Sequence, residues 1–344
     1  MIDRRKFIKT GVIAGLGVSV ASNGISATLS SFTSAGKRVG IIGLDTSHSI
    51  AFTKALNADD ADPVFCGYKV VAAYPHGSLD IPSSVERIEG YTEQVKEMGV
   101  AITASIDELL TKVDVVLLET NDGRRHLEQA LPVLKAGKRV FIDKPMAASL
   151  ADAMAIFNAA EKYGIPVFSA SSLRYIKGMD EVKSGAAGKV IGAEMYSPCA
   201  LEKTHPDLFW YGIHGVEPLF TAMGTGCKTV VRAHSEGTDV VVGTWEDGRI
   251  GTFRGLRDGQ RNYGGCVFGD KAIKQLGSYN GYNPLLVEII KYFETGNIPV
   301  QPKETLEILA FMEAADESRK KGGKPISVEK VMEKAEKESK KYKF

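Results

Sequence analysis

The sequence predicts an α/β protein with a doubly wound parallel sheet in its first half and an α+β domain with an open, mostly antiparallel sheet in its second half. Up to about residue 170, short apolar runs alternate with segments of helical periodicity. Beyond about residue 185, strand-like runs follow one another without helices between them. The 344 residues, 44% of them hydrophobic and 25% charged, give a soluble chain room for two domains.

In the first half, each apolar run is followed by a helical segment with recognisable ends. Gly137 is a suitable C-cap for one helix, and Ser149 can cap the next. The predicted strands are 38–43, 68–73, 113–118, 140–142 and 165–168; the predicted helices are 49–57, a segment capped by Ser83 or Ser84 that runs towards Met98, 124–136 and 150–163. Such alternation predicts right-handed crossovers and a parallel sheet.

The second half is predicted to begin with strands and to end with helices. Asp247-Gly248 is a hairpin signal between two strands. The predicted strands are 190–196, 229–234, 240–245 and 250–254; the predicted helices are 285–293, 305–320 and a partly docked, solvated tail at 327–344. We therefore expect a first domain over 36–170 and a second domain over 171–344.

Residues 1–35 are expected to direct export rather than to join the fold. The segment 3–9 resembles the twin-arginine export signal, in which paired arginines precede an apolar residue and a lysine. The apolar run at 11–21 is too short for an ordinary membrane span. We expect a periplasmic or otherwise exported protein without a stable membrane span after signal removal.

Charge and cysteine content exclude several classes of partner. Residues 36–344 carry 39 basic and 41 acidic side chains, which argues against nucleic acid or an anionic membrane as the main partner. The four cysteines are far apart and form no C-x-x-C pair, so neither a metal site nor a dense disulfide framework is expected. Isolated buried thiols are expected, with one disulfide left open.

The segment 138–148 carries the first candidate for chemistry. The strand at 140–142 should be buried on both faces, and Pro145 cannot continue the ladder. Asp143 and Lys144 are therefore presented at the carboxyl end of a parallel strand, where such sheets bind ligands. A lysine beside apolar surface can act as an acid, a base or a charge clamp. The alternative is a lysine that points into water.

The turn after the first strand occupies the position of a dinucleotide-binding fingerprint. Only its first glycine, Gly43, is present, and Asp45 in the second glycine position would repel a pyrophosphate. Thr46 and Ser47 supply hydroxyl groups where the helix start favours an anion. The segment 74–78 contains no acidic residue that could bind the ribose 2′-hydroxyl of NAD. Its absence favours NADP, or an unusual pose of the cofactor. This turn by itself favours neither the presence nor the absence of nucleotide binding.

The segment 209–217 carries the second candidate. His214 lies between two glycines, follows several aromatic residues and precedes Glu217 by three positions. This pattern suits a proton-transfer histidine beside a sugar-sized substrate, with Glu217 orienting its ring. The alternative is a histidine at a domain boundary whose ring nitrogens are hydrogen-bonded by neighbouring residues and which has no catalytic role.

Together these motifs resemble the glucose–fructose oxidoreductase and inositol dehydrogenase family (Gfo/Idh/MocA) over nearly the whole chain after residue 35. Asp143-Lys144-Pro145 is similar to the family's Glu-Lys-Pro motif, which Gly137 precedes at the usual spacing. The segment 212–217 is similar to its Gly-x-His-x-x-Asp motif. The resemblance implies a Rossmann-type first domain, a lysine and a histidine flanking the carbon that exchanges hydride with NAD or NADP, and a homo-oligomer formed through the C-terminal sheet.

The resemblance also implies a set of site residues. The catalytic candidates are Lys144, His214, Glu217 and Tyr211; the cofactor-binding candidates are Gly43, Asp45, Thr46, Ser47, His48, Asn121, His126, Asp143, Lys144 and Pro145; the substrate-binding candidates are Arg174, Tyr175 and Trp210. His126 falls on the family's histidine, but Gly123 replaces a usual asparagine. Trp210 stands where inositol dehydrogenase-like members carry a catalytic aspartate, so the proton relay must use Glu217, Tyr211 or water.

The sequence therefore predicts an exported NAD(P)-dependent oxidoreductase that acts on a carbohydrate hydroxyl and holds its cofactor tightly. Lys144 would polarise the substrate oxygen, and His214 would exchange its proton. Two alternatives stay open. One is a glycosidase that uses bound NAD for transient oxidation. The other is a non-catalytic sugar-binding protein, which Asp45 and Trp210 favour and the presence of both Lys144 and His214 opposes.

Overall fold

The first sheet of the computed structural model, which describes residues 36–344, has six parallel strands within that range, in the order β3-β2-β1-β4-β5-β6. The strands are β1 (Arg38–Ile42), β2 (Lys69–Tyr74), β3 (Ala101–Ile102), β4 (Val115–Leu118), β5 (Arg139–Ile142) and β6 (Val167–Ser169). This confirms the predicted doubly wound sheet. The strand order reverses between β1 and β4, which is where such sheets bind ligands. The expected export signal lies outside the described residues.

Alternating side chains of the first sheet enter two cores on opposite faces. Val116 and Ile142 pack on one face, whereas Val115 and Phe141 pack on the other. All four residues of β4 and of β5 are buried, as the continuous apolar runs predicted.

Five helices of the described chain follow these strands. They are α1 (Ser47–Asn57), α2 (Pro82–Glu97), α3 (Ile106–Lys112), α4 (His126–Lys135) and α5 (Leu150–Tyr163). Ser149 caps α5 as predicted, since its hydroxyl accepts from the backbone N–H of Asp152. The serine cap predicted for α2 is wrong, because Pro82 takes the first helical position and Ile81 precedes it.

The second sheet has seven strands within the described residues, in the order β12-β11-β7-β10-β9-β8-β13. They are β7 (Val190–Pro198), β8 (Cys227–His234), β9 (Thr238–Trp245), β10 (Ile250–Leu256), β11 (Gly264–Gly269), β12 (Ile273–Leu276) and β13 (Ile326–Ser327). The β7–β10 pair is parallel and the other neighbours are antiparallel, which confirms a mostly antiparallel sheet. Gly248 turns the chain between β9 and β10 with φ of 85°.

The helices of the second half are distributed over both sheets. They are α6 (Met179–Lys183), α7 (Asp207–Trp210), α8 (Ile213–Met223), α9 (Asn283–Thr295), α10 (Pro302–Lys320) and α11 (Val328–Ser339). Helices α8 and α10 pack on the second sheet. Helix α9 belongs to the sequence region assigned to the second domain, yet Leu286, Ile289 and Phe293 enter the core of the first sheet. The chain therefore returns to complete its first layer.

Two further expectations can be compared with the described residues. All four cysteines are free there, and Cys66 is exposed whereas the other three are buried. No helix in this part of the chain is long and apolar enough to cross a membrane.

Candidate functional site

A cavity of about 280 Å³ lies at the carboxyl ends of the first sheet, facing residues of the second half. One wall consists of Thr46, Ser47, His48, Ser83, Arg87, Asn121 and Lys144. The other consists of Ser172, Leu173, Ala200, Trp210, Tyr211, His214, Tyr263, Tyr279 and Tyr282. The two sequence motifs centred on Lys144 and His214 therefore meet across one space.

The turn between β1 and α1 requires its glycine. Gly43 has φ of 90°, and a Cβ there would lie 2.5 Å from the backbone nitrogen of Thr120 at the end of β4. Thr46 caps α1 by accepting from the N–H of His48 at 3.4 Å. The Ser47 hydroxyl lies 3.0 Å from the Tyr282 hydroxyl. The start of α1 thus borders the cavity with two hydroxyl groups.

Asp45 lies beneath this turn rather than on the cavity wall. Its fully buried carboxylate accepts from the backbone N–H groups of Ser78 and Asn121, each at 3.0 Å. A Cβ on Gly77 would lie 2.1 Å from the carboxylate, so that glycine makes room for it. Burial raises the pKa of Asp45, and the two N–H donors oppose this. Asp45 therefore links the segments that follow β1, β2 and β4. Because its carboxylate does not face the cavity, it would not repel a pyrophosphate there, contrary to what the sequence had predicted.

His48 reaches two acids at neighbouring strand ends. Its Nδ1 lies 3.0 Å from Asp143 Oδ1 and 3.7 Å from Glu119 Oε2. Both carboxylates are fully buried. Burial and the charge of Asp143 raise the pKa of Glu119 well above its usual value. Burial acts to raise the pKa of Asp143 as well, but His48 and Lys144 outweigh it and hold that pKa low. Glu119 was not predicted as a site residue.

Lys144 is a buried cation on the cavity wall. Its Nζ lies 3.5 Å from Asp143 Oδ2, and the residue is 7% exposed. Burial lowers the pKa of Lys144, but neighbouring groups, chiefly the charge of the Asp143 carboxylate, together outweigh this effect, so the net direction is upward. The side chain is therefore held as an ammonium group at the strand end, not directed into bulk water.

His214 is oriented by a serine that the sequence did not single out. Its Nδ1 lies 2.8 Å from the Ser171 hydroxyl, and the backbone N–H of Ser171 donates to Glu217 Oε2 at 2.7 Å. Glu217 thus connects to the histidine through Ser171, where direct orientation of the ring was expected. Burial, followed by the charge of Lys144, lowers the pKa of His214 well below its usual value. The ring is a neutral imidazole at neutral pH.

Arg174 lies behind His214. Its Nη1 is 3.6 Å from Glu217 Oε1, and its Nη2 pairs with Glu304. Burial raises the pKa of Glu217 to about 7, although Arg174 and the Ser171 N–H oppose this. Arg174 and Tyr175, expected at the substrate, line a different cavity of about 600 Å³.

Aromatic side chains form much of the opposite wall. Tyr211 packs edge-on against His214 with ring centroids 4.8 Å apart, and its hydroxyl lies 3.2 Å from that of Tyr263. Tyr279 and Tyr282 are edge-on at 5.4 Å. Trp210 and Tyr211 were predicted at the site. The three other tyrosines come from irregular segments without a periodic pattern, so the sequence offered no signal for them.

Three other predicted residues frame the strand ends. His126 is buried, with Nδ1 3.1 Å from the Met146 carbonyl and Nε2 2.7 Å from the Thr120 carbonyl. Pro145 is buried after Lys144, and Asn121 lines the cavity while donating to Ser84. Gly123 occurs in place of the expected asparagine because a Cβ there would lie 2.8 Å from the nitrogen of Ala148. Ser83 and Arg87, on the cavity wall, were not predicted.

Comparison with known proteins identifies similar chains. Residues 37–171 match the family model GFO_IDH_MocA, described as an oxidoreductase family with an NAD-binding Rossmann fold. An uncharacterised oxidoreductase of Escherichia coli (strain K12) is 28% identical over 137 residues, which are 36% of this chain and 39% of that protein. A 1,5-anhydro-D-fructose reductase of Ensifer adhaerens is 31% identical over 120 residues, which are 33% of this chain and 35% of the relative. The chain therefore spans well under half the length of these relatives.

Solved structures share the fold over most of the chain. A probable dehydrogenase from Thermotoga maritima has a TM-score of 0.68 at 21% identity, covering 86% of this chain and 99% of its own. A scyllo-inositol dehydrogenase from Lactobacillus casei, solved with NAD(H) and scyllo-inositol, has a TM-score of 0.65 at 15% identity, covering 85% of this chain and 99% of its own. At these identities the likeness establishes the fold.

The cavity residues are compatible with a nicotinamide dinucleotide. The start of α1 offers the Thr46 and Ser47 hydroxyls beside the N-terminal end of a helix, which favours an anion. Arg87 and Asn121 line the same cavity. The one acid that opposed this interpretation, Asp45, is turned into the protein and hydrogen-bonded there.

Proposed function

We propose that this chain oxidises or reduces a hydroxyl-bearing carbon of a carbohydrate or polyol with NAD or NADP, since residues 37–171 match the model of the GFO_IDH_MocA oxidoreductase family with its NAD-binding Rossmann fold. The observation that carries the proposal is the meeting of Lys144 and His214 on the walls of one cavity. A buried ammonium group can stabilise a developing alkoxide, and a neutral imidazole can accept the hydroxyl proton, which suits proton-coupled hydride chemistry on an alcohol.

The chain's own residues divide the work. The Lys144 ammonium would donate to the substrate oxygen and stabilise negative charge as its proton leaves. His214, neutral because it is buried beside Lys144, would accept that proton in the oxidative direction. Ser171 would keep the ring in place through Nδ1. A nicotinamide cofactor would supply the hydride acceptor or donor, held by Thr46, Ser47, Asn121 and Arg87.

A sugar or polyol substrate is supported by the wall that faces Lys144. Trp210, Tyr211 and Tyr263 present ring faces and hydroxyl groups, which suits a molecule with apolar C–H faces and polar edges. Two of the similar proteins are named for such compounds, an inositol dehydrogenase and an anhydrofructose reductase.

Tight retention of the cofactor and export are parts of the same proposal. The segment 3–9 supports twin-arginine export, which carries folded proteins. A compartment with little free nucleotide favours a carried cofactor, with a dissociation constant below micromolar, or about −8 kcal/mol and stronger. Replacing Arg4 and Arg5 by lysine should leave the protein in the cytoplasm, and fractionation of cells would measure this. Export of the double variant would contradict a twin-arginine route.

A homo-oligomer through the second sheet is also proposed. Tyr196 on β7 and Ile250 on β10 are 40% and 53% exposed on a layer whose other face is covered by helices. Light scattering on the purified protein tests this. Changing Ile250 to lysine should lower the measured mass if that face is the interface, whereas a monomeric wild type would contradict the proposal.

The decisive experiment is to denature the purified protein and identify the released small molecules by mass spectrometry. Stoichiometric NAD(H) or NADP(H) supports both enzyme hypotheses, and assays with sugars and glycosides separate net oxidation from net hydrolysis. The second candidate, a sugar-binding protein without hydride chemistry, is favoured by Trp210, which stands where inositol dehydrogenase-like proteins carry a catalytic aspartate. The sugar-binding hypothesis replaces the enzyme hypotheses if the denatured protein releases no nucleotide and added NAD or NADP fails to bind at millimolar concentration.

A further inference from the structure

We propose that His48, Glu119 and Asp143 form a binding site for one divalent metal cation of the Zn²⁺, Mn²⁺ or Fe²⁺ class. The three residues come from three different elements at the point where the strand order reverses. His48 is the second residue of α1, Glu119 directly follows β4, and Asp143 directly follows β5.

The spacing of the donor atoms suits a cation. One ligand atom from each residue lies within 4.8 Å of the other two. His48 Nδ1 is 3.0 Å from Asp143 Oδ1 and 3.7 Å from Glu119 Oε2. Metal–nitrogen and metal–oxygen bonds of about 2.0–2.2 Å separate neighbouring ligand atoms by about 3.0–3.5 Å. An ion fits between these atoms with small side-chain adjustments.

Unsatisfied oxygen atoms provide the second, independent observation. Both carboxylate oxygens of Glu119 and Oδ2 of Asp143 have no hydrogen-bond partner among the described residues, and both side chains are fully buried. Carboxylates in this condition are rare, because burial without a donor or a cation is strongly unfavourable. The Lys144 ammonium group lies 3.5 Å from Asp143 Oδ2. Lys144 offsets one carboxylate, and a metal ion would offset the second.

The donor set selects the class of metal. One imidazole nitrogen and two carboxylates suit Zn²⁺, Fe²⁺ and Mn²⁺, whereas Ca²⁺ prefers six to eight oxygen ligands. No cysteine belongs to the group, so a thiolate site is excluded within the described residues. His48 and Lys144 both line the main cavity, which provides a route for the ion and for water.

The sequence explains how the imidazole reaches this place. Gly43, Asp45 and His48 occupy the three glycine positions of the dinucleotide fingerprint, and the third glycine normally permits close packing of helix and strand. With His48 in that position, the ring fills the space between α1 and the strand ends. The carboxylates at the ends of β4 and β5 then face it. The expectation of no metal site rested on cysteine spacing, which does not detect this arrangement.

The test measures metal binding to the full-length protein, purified without chelators. Elemental analysis should find about one equivalent of metal. After chelation, titration with MnCl₂ followed by electron paramagnetic resonance should show one site. Glu119→Gln should weaken it on the order of 100-fold or more, since even outer-shell changes alter metal affinity by about 10–100-fold. Glu313→Gln is the matched control, because Glu313 also has a buried unpartnered oxygen but lies on α10, outside the cluster. Its Mn²⁺ affinity should equal that of the wild type.

A spectroscopic measurement covers the case in which Glu119→Gln does not fold. Bound Mn²⁺ in the wild type should show electron-spin-echo modulation from one imidazole nitrogen, and His48→Gln should lose it. The proposal is overturned if the wild type binds neither Mn²⁺ nor Zn²⁺ at millimolar concentration. It is equally overturned if both variants bind as the wild type does. A metal-free wild type in which Glu119→Gln raises the melting temperature would assign Glu119 a retained proton instead. These readouts need no turnover, so they stand apart from the proposed enzymatic function.

Discussion

The strand-end wall of the cavity and the wall at α8 contain the same kinds of side chain but differ in how their charges are balanced. At the strand ends, Glu119 has no hydrogen-bond partner among the described residues, and Asp143 relies on His48 and Lys144. At α8, Glu217 accepts from the Ser171 backbone and lies beside Arg174. One oxygen of Glu217 also lacks a hydrogen-bond partner, but the Arg174 guanidinium lies 3.6 Å from it, whereas both oxygens of Glu119 are without a partner among the described residues. The comparison indicates that one wall orients a proton-transfer group and the other attracts a cation or a cationic ligand.

The largest effect is expected from a variant of the α8 wall that lacks the proton-transfer group. His214→Asn should lower the turnover rate about 10²–10⁴-fold, the usual range for a positioned acid or base, while keeping a similar volume. The rate would be followed as NADH formation across a panel of sugars and polyols. Cofactor content should stay at the wild-type level. A rate within a few-fold of the wild type would remove His214 from the mechanism.

The next largest effect is expected at the strand-end wall, from a variant of Lys144. Lys144→Met keeps the length of the side chain but removes the ammonium group, and the turnover rate should fall by about 10²–10³-fold, as when one donor to a developing oxyanion is lost. A lysine that pointed into water from a strand end would contribute little to the fold. The burial of Lys144 beside Asp143 indicates otherwise, because the variant leaves that carboxylate without its cation. Thermal melting should therefore be measured alongside the rate, and Lys183→Met on the other cavity is the control.

The α8 wall should make stability depend on pH through Glu217. Its folded pKa of about 7 lies above its usual value of 4.5, so the folded protein binds this proton more tightly than the unfolded chain. That contribution to stability is present below about pH 4.5 and is lost as the pH rises through 7. The free energy of unfolding should fall on the order of 1–3 kcal/mol from this group between pH 5 and pH 8. Urea titrations would show this slope in the wild type and a flatter one in Glu217→Gln. Equal slopes would show that Glu217 does not titrate in this range.

The smallest effect is expected from Ser171, whose hydroxyl is hydrogen-bonded to His214. Ser171→Ala removes one hydrogen bond to Nδ1, worth about 1 kcal/mol, so the turnover rate should fall about fivefold. The pH profile of the rate should also shift, which a purely structural defect would not cause. Ser197→Ala is the control, because Ser197 is also buried and hydrogen-bonded but does not line the cavity. A loss as large as that of His214→Asn would mean that Ser171 contacts the substrate directly.

Much of the fold follows from local pattern. The apolar runs of β4 and β5 and the serine cap of α5 are strong signals, and the structure contains all three. Several elements that the sequence did not predict are short, such as β3 with two residues, but the eleven-residue α8 was also missed, because Gly215 and Pro218 weaken its helical signal. The return of α9 to the first sheet depends on which apolar faces are left uncovered after folding, and periodicity does not encode that choice.

The site was predictable only in part for the same reason. Lys144 and His214 stand in motifs that carry their own spacing. Tyr282 lines the cavity, and Ser171 and Glu119 lie behind it against His214 and His48; all three come from distant segments that only the assembled fold brings near those motifs. Asp45 shows the opposite case: its residue type suggested conflict with a phosphate, but its partners Ser78 and Asn121 could not be identified from sequence.

The return of α9 has a consequence for how the chain is made. The first sheet finishes with β6 at Ser169, but α9, which completes the cover of one of its faces, begins at Asn283. During synthesis, α1 can pack on this face early, whereas the contacts of Leu286, Ile289 and Phe293 must wait until most of the second sheet has been made. Contacts of such sequence separation form late and slowly. The nascent first layer thus spends this interval with part of one apolar face uncovered, which is a surface that chaperones can bind.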